Sequence, residues 1–85
     1  MLYEPQEKVS MMLVFNKDKS IVKPHKMRWG EKYVTFTEVT YHHLIRKGMQ
    51  MIHVFHVTDG TMDYRLHLDT HTLHWKLMEV SDGNS

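Results

Sequence analysis

From residue 62 to residue 68, apolar and polar side chains alternate without a break: Met62, Tyr64, Leu66 and Leu68 against Asp63, Arg65 and His67. A period of two gathers the four apolar side chains on one face of a β-strand and does not fit the 3.6-residue period of a helix. Leu73, Trp75 and Leu77 repeat the pattern over residues 73–80. Elsewhere, segments rich in Val, Ile, Thr, Tyr and Phe are separated by turn signals at roughly the 8 to 12 residue spacing of an all-β domain. No helix longer than a turn is expected.

Turn chemistry then sets the expected pairings. Asp59-Gly60 is the preferred dipeptide of a type I′ hairpin, whose two central residues need positive φ, so Thr58 should oppose Thr61 and Phe55 should oppose Tyr64. At Asp69-Thr70-His71-Thr72, pairing Leu68 with Leu73 brings Leu66 against Trp75 and Tyr64 against Leu77. A three-residue connection with Gly48 at a left-handed bulge position sets Ile45 against Met49 and Val39 against Phe55; a two-residue loop would lose that match. Residues 33–45 change parity between Val34 and Phe36 on one side and Val39, Tyr41 and Ile45 on the other, so a β-bulge is expected near Thr37-Glu38. Upstream, residues 11–15 read as a short strand and residues 16–20 as a turn. Pro24, which has no N–H to give a ladder, makes the strand beginning at Ile21 an edge strand or ends it there. The expected fold is all-β: a six-stranded antiparallel meander, coiled by its bulge into a small half-open or closed barrel.

At 85 residues the chain has room for one core, with residues 11–80 as the domain, residues 1–10 as a loosely held leader and residues 81–85 as a tail. An apolar content of 41%, a charged content of 25% and a net charge of +1 argue against disorder, collagen and coiled coil. No run approaches the roughly 18 apolar residues of a membrane span, and the first residues lack the basic flank and apolar stretch of a signal peptide, so a cytoplasmic protein with no membrane partner is expected. The absence of cysteine removes disulfides, thiolate zinc sites and cysteine nucleophiles together. Seven of the eight methionines lie in or beside apolar runs, where their adaptable side chains fill cores and interfaces.

Eight histidines make metal binding the sharpest enzymatic idea. The expected registers put His67 directly opposite His74 on the outer face and His56 facing Asp63 there, while His43 and His53 sit diagonally on the inner face near Tyr41 and Met51. Two imidazoles can chelate, but catalytic zinc needs three protein ligands and structural zinc four, and no third ligand is in register with His67 and His74. An exposed cross-strand pair and hydrogen-bonded rim histidines account for the same pattern, so no cofactor is expected. Glycine-rich phosphate loops, nucleophile elbows and metalloprotease helices are absent, and so small a sheet should leave little volume for a pocket. The expected protein is not an enzyme.

Charge is unevenly distributed. Residues 17–47 carry eight Lys and Arg against three acids, whereas residues 48–85 carry two against five. This asymmetry marks Lys23, Lys26, Arg28, Trp29 and Lys32 as candidate binding residues, with Trp29 and Tyr33 as stacking platforms for bases or as anchors at a protein interface. A solvated edge with Trp29 in the core is the competing reading.

Lys23-Pro24, Met27, Trp29-Gly30, Tyr33, Glu38-Val39, Phe55-His56-Val57-Thr58, Tyr64-Arg65-Leu66, Asp69 and Trp75-Lys76-Leu77 form a string that resembles a group of small bacterial β domains of unknown function. A proline, a Trp-x-Gly-x-x-Tyr turn and a closing Trp-x-Leu strand recur in that group, whose relatives are similar to domains appended to translesion-polymerase-like proteins. The resemblance covers about residues 20 to 80. It implies a fold and a neighbourhood, and no catalytic residue. Sequence therefore leads to a binding or accessory module that contacts nucleic acid or a nucleic-acid-processing protein. The alternative is a protein-interaction or homo-oligomerising domain using an edge strand and a Met-rich surface, with Ile52, Val54 and Met78 on the outer face.

Overall fold

A computed structural model of the chain describes residues 2–17 and 21–82, with the backbone alone at Asn16 and Ile21. The described strands are β1 (Leu2–Tyr3), β2 (Glu7–Asn16), β3 (Ile21–Trp29), β4 (Lys32–Thr35), β5 (Glu38–Lys47), β6 (Gln50–Thr58), β7 (Met62–Asp69) and β8 (Trp75–Asp82). They form one antiparallel sheet in the order β4-β3-β2-β8-β7-β6-β5, with β1 paired to β8. Among the described residues no helix is long and apolar enough to cross a membrane.

The all-β antiparallel architecture agrees with the alternation in the sequence; the strand count and the closure do not. Residues expected as a loose leader supply β1 and the start of β2, where Glu7, Lys8 and Val9 pair with Leu77, Lys76 and Trp75. The single strand expected over residues 33–45 is two, split at a corner where Phe36 N–H donates to the His25 carbonyl and Thr37 N–H to the Thr58 carbonyl, both at 2.8 Å. Eight strands therefore replace six. The two ends of the hydrogen-bonded path are β4 and β5, which follow one another in the chain without pairing, so the sheet is not closed into a barrel. The expected bulge lies slightly later, between Val39 and Tyr41. Residues 18–20 of the first expected turn and residues 83–85 of the expected tail fall outside the described residues.

Both tight-turn registers are displaced by two residues. Thr58 opposes Asp63 and Phe55 opposes Leu66, because Gly60 alone in that turn has positive φ and the Asp59 carboxylate accepts the N–H groups of Thr61 (2.8 Å) and Met62 (2.7 Å), stabilising a longer loop. Likewise Leu68 opposes Trp75 and Leu66 opposes Leu77. A slip of two leaves these side chains on their own face, and past a bulge between Arg65 and Leu66 it is Val80 that opposes Tyr64 and is buried. Tyr64, Leu66, Trp75 and Leu77 are accordingly buried together with Phe55, Val57, Met27, Val34 and Phe36.

Leu73 is the exception, since it leaves the strand for the turn, with φ +62° and 71% of its surface exposed. A left-handed conformation costs a residue with a Cβ about 1–2 kcal/mol, and glycine gives back part of that through its freer unfolded state. Leu73→Gly is expected to gain about 0.5–1 kcal/mol and to raise Tm by about 2–8 °C in differential scanning calorimetry. A lower Tm would show that contacts of the leucine side chain hold the turn.

Candidate nucleic-acid interface

Along β3, Lys26 and Arg28 alternate with Met27 and Trp29. Met27 is fully buried, so the period of two turns Lys26 and Arg28 away from the core. Arg28 pairs with Tyr33 of β4, which places the phenol on the same outer face with 55% of its surface exposed. The Lys26 Nζ lies 5.1 Å from the Tyr33 ring centroid, within cation–π range. Arg28 Nε donates to the Gly30 carbonyl at 3.1 Å, which steers its guanidinium toward the β3–β4 hairpin. Lys8 of β2 borders the same ground, sharing with Arg28 a shallow depression of about 260 Å³.

Three candidates from the sequence lie elsewhere. Trp29 is half-buried against the core, its indole Nε1 donates to the Glu7 carboxylate, and its ring lies 6.0 Å from that of Tyr3. Lys32, opposite Trp29 in the register, holds its Nζ 6.0 Å from the indole. Lys23 pairs with Val14 further along the β2–β3 ribbon and borders an apolar cavity of about 370 Å³ whose walls include Phe55, Leu68 and Trp75. The segment therefore divides: Lys26, Arg28 and Tyr33 share one exposed face, and Trp29 with Lys32 occupies the other. Sequence reasoning missed Lys8, whose place beside Arg28 follows from β2 running between β3 and β8.

The histidines are arranged differently from expectation. Lys47 pairs with Gln50, so the connection at Gly48 has two residues, and β5 is displaced by an odd number of residues, with His42 in place of Val39 opposite Phe55, which exchanges its faces. His42 consequently joins His53 on the inner side, with 2.8 Å between Nε2 of one and Nδ1 of the other, and stacks on Phe55 at a centroid distance of 4.3 Å. His43 lies instead beside Tyr41 and His56. His56 opposes Arg65 rather than Asp63, and Arg65 forms an ion pair of 2.7 Å with Glu79. His67 opposes Lys76, because His74 falls in the turn before β8; the expected cross-strand imidazole pair is not formed. No group of three or more His, Asp or Glu among the described residues is placed to hold a metal ion. Burial, with the neighbouring charges of His53 and His43, holds the His42 imidazole below the ordinary histidine range. Burial does the same at His56, assisted by His43 and Arg65 against Glu79.

The sheet is also less solid than its length suggested. Besides the 370 Å³ apolar cavity, a cleft of about 410 Å³ opens on the outer face between β5 and β8. No protein-family model, curated protein or solved structure matches this chain, so its own residues carry the functional reading.

Proposed function

We propose that this chain is a non-enzymatic binding module that contacts single-stranded nucleic acid through the outer face of β2, β3 and β4. The observation that carries this reading is the grouping on one face of exposed Arg28 and Tyr33 with half-buried Lys26, with Lys8 alongside. Cations that track a phosphate backbone beside an exposed aromatic ring that accepts a base are the two parts single-strand binders combine. With Trp29 engaged by Glu7 and the core, Tyr33 is the residue free to stack.

Fluorescence anisotropy with a labelled single-stranded oligonucleotide, titrated at about 50 mM salt and above, tests this. Lys26→Ala and Arg28→Ala should each reduce the log-log salt slope by about 0.7, the single-strand value for one lost phosphate contact. Tyr33→Ala should weaken binding by about 1–3 kcal/mol with little change in Tm. No measurable affinity of the parent at about 50 mM salt, where the electrostatic contribution is strong, would overturn the reading.

A second reading is favoured by one feature. Ile52 and Val54, placed on the outer face by the sequence, are buried and Met78 is half-buried, whereas Met12, Leu13, Val14, Phe15 and Val22 are all exposed on the β2–β3 ribbon. An apolar ribbon of this kind suits a protein partner or a second copy of the chain. Concentration-dependent sedimentation that strengthens with salt, coupled to loss of oligonucleotide binding, would favour it over the first reading.

A further inference from the structure

The outer-face cleft between β5 and β8 shares Lys8 with the ground around Arg28, is lined by none of Lys26, Arg28 and Tyr33, and has its own chemistry. Lys8, Lys47 and Lys76 reach it from three different strands, joined by His67 and His74. Its base is apolar, formed by Ile45, Ile52 and Met78. The register makes the concentration of charge unusual, because Lys8 directly opposes Lys76, and Lys76 in turn directly opposes His67. Like charges directly opposite on adjacent strands are destabilising, and none of the three lysines forms an ion pair with a described residue. One carboxylate, Asp69, borders the cleft, and its Oδ1 accepts the backbone N–H groups of His71 (2.8 Å) and Thr72 (3.4 Å). The positive field is felt inside: burial first, then Arg65, Lys47, His43 and Lys76, hold the His67 imidazole below the ordinary histidine range.

We propose that this cleft is a binding site for a small amphipathic anion, a carboxylate or phosphate monoester carrying a short apolar body. At about 410 Å³ the cleft falls within the size range of small-molecule sites and exceeds what a bare inorganic ion fills. The lysines bind the head group, turning the Lys8–Lys76 repulsion into shared attraction to one anion. Ile45, Ile52 and Met78 take the apolar body, which separates this ligand from a simple salt ion. The inference goes beyond the nucleic-acid reading and stands if that reading fails, because Lys8 is the one cleft residue the two share and Lys47, Lys76, Ile52 and His67 have no part in it.

Isothermal titration calorimetry on the full chain tests it with octanoate and octyl phosphate, against octylammonium, acetate and inorganic phosphate. At least one of the two amphipathic anions is expected to bind with a Kd of about 1 mM or tighter, a modest value for a ligand of this size. Octanoate alone identifies a carboxylate site, octyl phosphate alone a phosphate site, and both together the shared chemistry. The double variant Lys47→Ala/Lys76→Ala should weaken that binding at least about tenfold while melting at or slightly above the parent, since exposed lysines contribute little to stability and one repulsion is removed. Acetate and inorganic phosphate should bind at least about tenfold more weakly than their octyl counterparts, having no apolar body to bury. The proposal fails if octylammonium binds as tightly as the anions, if the double variant retains parental affinity, or if neither octyl anion binds at about 10 mM, tenfold above that expected Kd.

Discussion

Trp75→Ala is expected to lower Tm by about 12–40 °C and to leave much of the protein unfolded at 37 °C. The indole begins β8, is buried, and sits with its ring 5.4 Å from that of Phe55. Its register partners are Leu68 of β7 on one side and Val9 of β2 on the other, so it lies at the junction that ties β2 to the run from β5 to β8. Truncating a buried aromatic costs about 3–5 kcal/mol, whereas 85 residues at the usual stability per residue hold about 4–13 kcal/mol in all. Trp75→Phe keeps most of the apolar contact and should fall well short of the alanine effect. Thermal melting followed by circular dichroism measures both, and an alanine variant that melts within a few degrees of the parent would show that the β2–β8 junction does not depend on this side chain.

The core around Trp75 was legible because the errors made there cancel. Reading Asp59-Gly60 as a two-residue turn, and pairing Leu68 with Leu73, both slip the register by two, so Tyr64, Leu66, Trp75 and Leu77 stay on the core face. The Gly48 connection does not forgive in this way. Replacing the expected three-residue loop by a two-residue one shifts the pairing by an odd number and exchanges His42 for His43 on the inner side. Apolar matching preferred the wrong loop because the three-residue connection matches Val39 and Ile45 with no irregularity between them, whereas the true partners, Val57 and Ile52, are both reached only through the bulge between Val39 and Tyr41, and a bulge leaves no reliable mark in a sequence.

The candidate sites were legible in proportion to how local they are. Lys26, Arg28 and Tyr33 lie within one hairpin, so composition found the segment and alternation divides it. The lysine cluster of the outer cleft was not visible, because Lys8 meets Lys76 only through the pairing of β2 with β8, across most of the chain. Lys76 moreover belongs to the half of the sequence with an acidic balance. Local charge counts cannot detect a site assembled by a long-range pairing.

Asp59→Ala carries the other large expected effect. The Asp59 carboxylate accepts three hydrogen bonds, from Thr61 N–H, Met62 N–H and the Tyr64 hydroxyl, the last at 2.8 Å. Burial on its own would raise the Asp59 pKa, but the backbone donors of Met62 and Thr61 and the Tyr64 hydroxyl outweigh it, and the group titrates below its ordinary value. Burial, followed by the bond to Asp59, raises the Tyr64 pKa, keeping the phenol a donor throughout the usual pH range. Removing the carboxylate leaves the hydroxyl of a buried tyrosine and two turn N–H groups without their acceptor, and hydrogen bonds to charged groups contribute about 1.5–3 kcal/mol each without adding fully. Asp59→Ala is therefore expected to cost about 2–4 kcal/mol, or roughly 8–30 °C in Tm. Asp59→Asn retains an oxygen for the turn N–H groups and should lose less than half as much. The depressed pKa fixes the sign of the pH effect: the contribution is fully present above the unfolded aspartate value of about 3.9 and is lost as pH falls through the lower folded value. Chemical denaturation at pH 7 and near pH 3 should show the gap between parent and Asp59→Asn narrowing in acid. A gap independent of pH would show that the loop depends on the shape of the side chain and not on its charge.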